Sequence, residues 1–377
     1  MRLTSFCVIV LGCIWGHGAT ADVTLPALFT DHMVLQRDQE NRIWGEAEPG
    51  EDVTVELANQ HHTATADDQG RWEVRLDPLP AGGPHQLQVS GENTLTISDV
   101  LVGEVWLCSG QSNMEWPIKA GNDGDLETLL PENSQLRFIS LPRVGTQQPQ
   151  KDFPGKWEVC SPTTLPEFSA VGYFFGKQLQ ETLGVPVGLI DNSWGGSACE
   201  AWIDRELLAA EEPFKPLADA WSEFEKTYDF KAYLAEYKKQ KEAWEAGGKQ
   251  GPGPRWYDNP LEGNSRPGNL YNGMLIPVAG YGIRGAIWYQ GETNAGRAHQ
   301  YRELFPLMIR NWRDLWQQGD FPFYWVQLAD YMSEKPEPAE SAWAELREAQ
   351  TLNPRQAAQR GAGGHHRSWR RPRYPSP

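Results

Sequence analysis

Residues 100–114 read Val-Leu-Val-Gly-Glu-Val-Trp-Leu-Cys-Ser-Gly-Gln-Ser-Asn-Met, and this stretch decides the fold class. Its mostly apolar first part predicts a buried strand, and Gly110 then supplies a small residue for a tight turn before Ser112. In open α/β sheets the ligand-binding crevice lies beyond the carboxyl ends of the strands. The pattern therefore places the Ser112 hydroxyl where a nucleophile would act. The alternative is a serine that caps the start of a helix.

Two further stretches repeat this arrangement. Residues 187–197 form a short apolar strand that runs into a Gly-Gly loop, and residues 283–294 form another that runs into a polar loop containing glycine. A parallel sheet gathers the loops that follow its strands at one edge, so we expect Ser112, Gly196 and Asn294 to share one site. A glycine N–H and an asparagine amide are neutral donors that suit the oxyanion formed when a serine attacks an ester.

The order of strands and helices predicts two structural domains. Residues 22–99 contain short alternating strands separated by turn residues, which predicts a small all-β sandwich. Helical stripes over residues 170–183 and 300–316 separate the later strands, and this βαβ order predicts a parallel α/β sheet covered by helices on both faces. We expect this α/β domain to span residues 100–354, with a charged helical insertion at about 205–254.

The chain resembles the SGNH hydrolases, and within them the sialate O-acetylesterase-like carbohydrate esterases. The resemblance runs from about residue 25 to about residue 354. Four ordered blocks carry it: residues 110–114 (Gly-Gln-Ser-Asn-Met), 192–196 (Asn-Ser-Trp-Gly-Gly), 288–294 (Trp-Tyr-Gln-Gly-Glu-Thr-Asn) and 343–350 (Trp-Ala-Glu-Leu-Arg-Glu-Ala-Gln). It implies a three-layer, flavodoxin-like SGNH sheet.

The resemblance also implies an activity and its residues. The protein is expected to be a serine esterase that removes O-acetyl groups from sugars, with an acetylated carbohydrate as its partner and neither a cofactor nor a metal. Ser112 would be the nucleophile, and its N–H would form the oxyanion hole together with the N–H of Gly196 and the amide of Asn294. Five other residues in or beside the blocks are expected near the site: Gln111, Trp116, Trp194, Trp288 and Glu292.

One block of the family is missing. It reads Asp-x-x-His, and it carries the general base and the aspartate that orients this base. Here no Asp follows Asp330, and neither His365 nor His366 has an acidic residue three positions before it. Because the members of a catalytic triad act as a unit, loss of the base removes most of the rate. Three interpretations stay open: an inactive protein that binds acetylated carbohydrate, an active esterase with His365 or His366 as the base, and a chain that folds incompletely.

Both ends of the sequence differ from its middle. Arg2, the apolar residues 6–15 and the Ala-Thr-Ala at 19–21 predict a signal peptide over residues 1–21, and hence an exported protein, periplasmic or extracellular. Residues 355–377 contain six Arg and no acidic residue, and we expect a disordered tail. A shifted reading frame or an early stop is the favoured explanation of this tail, and a basic tail that binds an anionic surface is the alternative.

Composition excludes some functions. The net charge of −16 argues against nucleic acid as a partner, and no segment after the N-terminus reads as transmembrane. The predicted mature chain keeps Cys108, Cys160 and Cys199. Since Cys108 and Cys199 lie beside two of the site loops, a disulfide between them is one hypothesis, and buried free thiols are the other. No Cys/His cluster has the spacing of metal ligands.

Overall fold

The computed structural model of the chain describes residues 22–331, 337 and 339–360, with side chains as far as residue 352. The predicted signal peptide, the end of the predicted tail, and His365 and His366 lie outside the described residues. What we inferred for those segments stays a prediction. A helix runs from Ala342 to Arg360, so residues 355–360, the start of the tail expected to be disordered, are helical.

The N-terminal unit is built from two β-sheets. In two of its strands, every second residue is a buried Val, Leu or Trp and the residues between are polar, which is the period of a strand with one buried face. One sheet has the order β4-β3-β6-β7, with β1 paired to β7, and the other is the pair β2-β5. The strands are β1 (Val34–Gln36), β2 (Asn41–Glu46), β3 (Asp52–Leu57), β4 (Gln60–Thr65), β5 (Arg71–Leu76), β6 (Gly82–Ser90) and β7 (Thr94–Gly110).

The second unit is organised around a mostly parallel sheet with the order β9-β8-β10-β7-β11-β12. All neighbours in it pair in parallel except the edge strand β9, which is antiparallel to β8. Its further strands are β8 (Asn133–Ser140), β9 (Glu158–Cys160), β10 (Val187–Ser193), β11 (Gly285–Tyr289) and β12 (Phe323–Trp325).

Strand β7 belongs to both units. Its first part pairs antiparallel with β6, and its end, from Glu104 to Gly110, pairs in parallel with β10. The backbone hydrogen-bond ladder therefore crosses the domain boundary predicted at residue 99 without a linker. This continuity ties the N-terminal unit to the strand that delivers Ser112.

Helices cover both faces of the parallel sheet. Along β7, Trp106 and Cys108 belong to one buried cluster, whereas Val105 and Leu107 belong to the other. The first cluster includes side chains of α3 and the second includes side chains of α7. The structure thus confirms the predicted three-layer α/β fold. The helices are α1 (Ser112–Glu115), α2 (Gly124–Glu127), α3 (Ala170–Leu183), α4 (Arg205–Ala210), α5 (Lys215–Thr227), α6 (Phe230–Ala246), α7 (Ala298–Trp316) and α8 (Ala342–Arg360).

Helix α3 shows how local chemistry sets its limits. The Ser169 hydroxyl accepts a hydrogen bond from the Gly172 N–H (3.0 Å) at the start of the helix. The helix ends at Gly184, which adopts a left-handed φ of +65°. The apolar stripe read from residues 170–183 therefore predicted the bounds of this helix correctly.

The segment between β10 and β11 contains α4, α5 and α6, in the region predicted as a helical insertion. Helix α6 has no buried residue, so it lies largely in solvent. Among the described residues, no helix has the length and hydropathy needed to cross a membrane.

The disulfide hypothesis is wrong. Cys108, Cys160 and Cys199 are all buried free thiols. Cys108 packs in the cluster that contains α3, whereas Cys199 packs in the cluster that contains α7. The two sulfurs thus lie on opposite faces of the sheet and cannot meet, and burial raises the pKa of both thiols.

Candidate active site

The loops that follow three neighbouring strands meet at one edge of the sheet. The Gln111 N–H donates to the carbonyl oxygen of Tyr289 at the end of β11 (2.9 Å), and the Trp194 N–H after β10 donates to the carbonyl oxygen of Gly110 (3.1 Å). Ser112 begins α1 directly after this junction, and it is exposed. The structure therefore brings the Ser112, Gly196 and Asn294 loops to the same edge, as the pattern predicted.

Gly110 makes this junction possible. Its φ is +144°, a conformation that side chains rarely adopt. A Cβ at this position would lie 2.2 Å from the carbonyl oxygen of Tyr289. A larger residue would push the strand ends apart, so the glycine sets the turn that presents Ser112.

The Gly-Gly loop lies beside the serine. A Cβ built on Gly195 would be 3.5 Å from the Cβ of Ser112, so the two backbones are in close approach. The Gly195 N–H donates to Glu115 Oε2 (2.8 Å), and its carbonyl accepts from Asn264 Nδ2 (2.6 Å). These two bonds hold the loop against α1.

Gly196 has the geometry of a hydrogen-bond donor to a ligand. It is exposed, and its φ is +73°, in the left-handed region. Its carbonyl accepts from the Thr293 hydroxyl (3.1 Å), whereas its N–H has no hydrogen-bond partner among the described residues. Because the Gly195 carbonyl is bound by Asn264, the trans peptide directs the Gly196 N–H to the opposite side.

Asn294 is 1% exposed, in the 3₁₀ helix Glu292–Arg297 that follows β11. Its Oδ1 accepts from the Cys199 N–H (2.9 Å) and from Gln290 Nε2 (2.7 Å). The first bond joins the β11 loop to Cys199, which follows the Gly-Gly loop, and the second lies within the β11 loop. An asparagine amide with all of its rotations removed is the preorganised kind of donor that an oxyanion requires.

Gln111 and Glu292 connect α1 with the β11 loop. The buried Gln111 side chain accepts through Oε1 from the Gly291 N–H (3.2 Å). Asn113 Nδ2 donates to Glu292 Oε1 (2.6 Å), while Glu292 Oε2 is buried without a partner among the described residues. Burial raises the pKa of the Glu292 carboxyl above its ordinary value. Both residues lie near the site, as predicted, and both order its loops.

Of the tryptophans expected at the site, one is in the core. Trp288 is fully buried and packs edge-on against Trp202 and Trp312, so it belongs to the core and does not line the site. Trp288 and Tyr289 are consecutive residues of β11, so their side chains point to opposite faces of the sheet. Trp194 is half-buried, and Trp116 is 51% exposed after α1.

The structure adds charged residues that sequence reasoning missed. Asp191, in β10, accepts from the Ser193 hydroxyl (2.7 Å), and burial, reinforced by the charge of Glu115, raises its pKa to about 7. Glu115 forms an ion pair with Arg143. A carboxylate three positions after a predicted nucleophile was a visible signal for Glu115. No signal linked the chain-distant Arg143 to it.

The described residues do not place a histidine at the serine. Their histidines at positions 32, 61, 62, 85 and 299 make no hydrogen bond to Ser112, and the first three bond to residues of the N-terminal unit. In the same part of the chain, no three His, Cys, Asp or Glu side chains are grouped so as to hold a metal ion.

Comparison with known proteins gives consistent matches. Residues 255–360 match the family described as carbohydrate esterase, sialic acid-specific acetylesterase. The chain is 30% identical over 345 residues to the sialate O-acetylesterase of Mus musculus. The alignment covers 80% of this chain and 59% of that protein. It is 31% identical over 333 residues to the Homo sapiens protein of the same name, covering 80% and 56%.

Its structure is similar to the crystal structure of a carbohydrate acetylesterase from Xanthomonas citri. The two superpose with a TM-score of 0.72 at 37% sequence identity, over 89% of this chain and 67% of that one. The chain spans less than two thirds of the length of the two mammalian relatives.

Proposed function

Because the chain belongs to the sialate O-acetylesterase family of carbohydrate esterases, we propose that it hydrolyses O-acetyl esters of carbohydrates. One observation carries this proposal. Gly195 is in close approach to Ser112, and the adjoining Gly196 N–H is exposed and unpaired within the described part of the chain. This arrangement supports the assignment of Ser112 as the nucleophile and of the Gly196 N–H as an oxyanion donor.

The proposed reaction is a two-step acyl transfer. Ser112 Oγ attacks the acetyl carbonyl carbon, and the resulting oxyanion accepts hydrogen bonds from the Ser112 and Gly196 N–H groups and from the Asn294 amide. The bond to the sugar oxygen then breaks, and the sugar leaves as an alcohol that takes up the serine proton. Water hydrolyses the acetyl-serine and releases acetate.

A base must accept the Ser112 proton before it passes to the leaving alcohol. In this proposal the base is His365 or His366, the histidines nearest in sequence to the family's missing block. The double variant His365→Ala, His366→Ala should then abolish acetate release. Unchanged release would exclude both histidines.

The direct test is turnover of p-nitrophenyl acetate and of an acetylated sugar by the purified full chain. We expect acetate release, and we expect Ser112→Ala to lower kcat at least about a thousandfold because the covalent step is lost. Ser222→Ala is the control, since this serine lies on α5 and bonds its own helix at Ala218. Equal kcat for Ser112→Ala and the unaltered chain would refute the proposal.

A second function is a non-catalytic binder of acetylated carbohydrate. It is favoured by the lack of a hydrogen bond from any described histidine to Ser112. Calorimetry with an acetylated sugar distinguishes the two functions. Binding without acetate release supports the binder, and acetate release that depends on Ser112 excludes it.

We propose further that the protein is exported. The support is the charged, apolar and small-residue order of residues 1–21. N-terminal sequencing of protein recovered from cells should find Asp22 first. Material that begins with Met1 would contradict export by cleavage.

A further inference from the structure

Glu200 is a buried carboxylate for which the proposed reaction has no use. It lies in the 3₁₀ helix Cys199–Trp202, shortly after the Gly-Gly loop, and is 2% exposed. A charge removed from water this completely is costly unless partners compensate it. Its Oε1 pairs with the guanidinium of Arg297, and its Oε2 accepts from Asn294 Nδ2 at 2.8 Å.

The surroundings of Asn294 fix which way its amide points. A carboxylate is acceptor-only, so the Asn294 atom that faces Glu200 must be Nδ2. The Cys199 N–H and Gln290 Nε2 are donors, so the atom that faces them must be Oδ1. The acceptor on one side of the amide and the two donors on the other therefore give the same assignment of its nitrogen and oxygen.

This arrangement leaves one hydrogen for a ligand. An amide nitrogen carries two hydrogens, and Glu200 takes one of them. The other has no partner among the described residues. Without the carboxylate, the Cys199 N–H and Gln290 Nε2 would still bond Oδ1, but Nδ2 would lose its acceptor, and its remaining N–H would be held less firmly toward an oxyanion.

Arg297 compensates the charge of Glu200. A lone carboxylate next to a developing oxyanion would oppose its formation, because like charges repel strongly in a low-dielectric site. The Arg297 guanidinium offsets this charge while leaving Oε2 free to accept from Asn294.

We propose that Glu200, neutralised by Arg297, is the positioning residue that holds the Asn294 amide with one N–H directed at the oxyanion. The inference rests on the proposed esterase function for its kinetic consequence. The orientation of the amide itself does not depend on that function, so it can be tested separately.

The first test is kinetic. Glu200→Gln keeps the shape of the side chain but removes the charge and adds a donor, so the hydrogen bond that anchors Asn294 Nδ2 is weakened or lost. With p-nitrophenyl acetate we expect kcat to fall about tenfold or more with KM unchanged, since only the oxyanion is affected. The control is Glu104→Gln, another nearly buried carboxylate paired with arginine, at the opposite end of the sheet. Its kcat should not change.

Arg297→Gln is the second variant, because its side chain is more than a third exposed and its replacement threatens folding less. We expect kcat to fall severalfold here as well, since the uncompensated Glu200 charge opposes the oxyanion. If both variants melt like the unaltered chain and retain its kcat, the proposal is overturned.

The second test needs no activity. In protein labelled with ¹⁵N-asparagine, the Asn294 side-chain amide pair is assigned by its loss in Asn294→Ala. The proton bonded to the carboxylate should resonate downfield of its partner and move upfield in Glu200→Gln, but not in Glu104→Gln. If the full chain releases no acetate, the esterase function fails while this shift still supports the positioning. An unmoved pair refutes the positioning whatever the activity.

Discussion

Buried and half-buried carboxylates lie at both ends of the parallel sheet, and Glu104 at one end is compensated differently from Asp191 and Glu292 at the other. Where β7 enters the parallel part of the sheet, the Glu104 side chain is 4% exposed between two arginines. Arg37 Nε donates to Oε1 (2.7 Å), and Arg284 Nε donates to Oε2 (2.9 Å). Both oxygens are thus bonded to cations. Because Arg37 follows β1 and Arg284 precedes β11, the cluster also joins the two units of the fold.

At the opposite end, where the site loops meet, neutral groups bond the carboxylates of Asp191 and Glu292. Asp191 accepts from the Ser193 hydroxyl, and Glu292 accepts from the Asn113 amide. Burial raises the pKa of both groups.

The contrast concerns Asp191 and Glu292, because Glu200 and Glu115 at the same end do pair with Arg297 and Arg143. Two carboxylates of the site region therefore lack the direct cationic partner that Glu104 has. Removing one partner of a buried ion pair is expensive, because it leaves a charge without compensation. For a half-buried carboxylate with no directly bonded cation, the ionised form is unfavourable, and this lowers stability at neutral pH. Perturbed groups of this kind concentrate at functional sites, which agrees with the position of Ser112 at this end.

The largest expected effect on the free energy of unfolding is that of a substitution at Glu104. Glu104→Gln removes the buried counter-charge that Arg37 and Arg284 share and leaves Arg37 only the exposed Asp38 at 3.6 Å. We expect it to lower the free energy of unfolding by about 3 kcal/mol. Denaturant unfolding of the variant and the unaltered chain measures this loss. A change below about 0.5 kcal/mol, the level of an ordinary surface substitution, would break the comparison.

Asp191→Asn should have a smaller effect of the opposite sign. The pKa of Asp191 is raised to about 7 in the folded protein, so its protonated form favours folding, and this contribution is lost as the pH rises from about 4 to about 7. An amide does not ionise and avoids the loss. A pKa shift from 3.8 to about 7 corresponds to about 4 kcal/mol if it is fully expressed. Because Asp191 is only half-buried and water screens its charge, we expect the variant to be more stable by roughly 1–2 kcal/mol at pH 8, with no gain at pH 4.

Unfolding measured at both pH values checks this prediction. The useful result is the difference between the two gains, because it cancels any change in packing that the amide itself causes. A gain of equal size at pH 4 and pH 8 would mean that ionisation of Asp191 is not its source.

The smallest effect is expected for Glu292→Gln. Burial raises the pKa of this carboxyl too, so stability is again lost as the pH rises through the folded-state pKa. The Asn113 amide, however, already compensates part of the charge. We expect a gain below about 1 kcal/mol at pH 8, detected as a slightly higher melting temperature. A gain larger than that of Asp191→Asn would reverse the predicted ranking.

Short-range patterns were sufficient to find the loops of the candidate site. Each of them follows an apolar strand directly and contains glycine, so Ser112, Gly196 and Asn294 could be chosen without coordinates. The same reasoning failed for Cys108, Cys199 and Trp288, because nearness in sequence to a site loop does not say which face of the sheet a side chain occupies.

Glu200 and Asn264 were missed for a different reason. Asn264 lies 68 positions after Gly196, in a loop with no strand before it, and its bond to the Gly195 carbonyl exists only in the folded chain. Glu200 follows the glycines closely, but its partner Asn294 is 94 positions away. Nothing in the local pattern identifies such pairs.

The amino-acid sequence by itself determined the class of fold, the edge of the sheet where the loops meet and the family to which the chain is similar, since hydrophobic periodicity and glycine turns are local properties. Only the tertiary structure decided which carboxylates are neutralised and which atom of Asn294 is left to bind a ligand. Those outcomes depend on burial and on donors brought together from distant parts of the chain. Electrostatic and hydrogen-bonding energies act over a few ångströms of space, whatever the separation along the sequence.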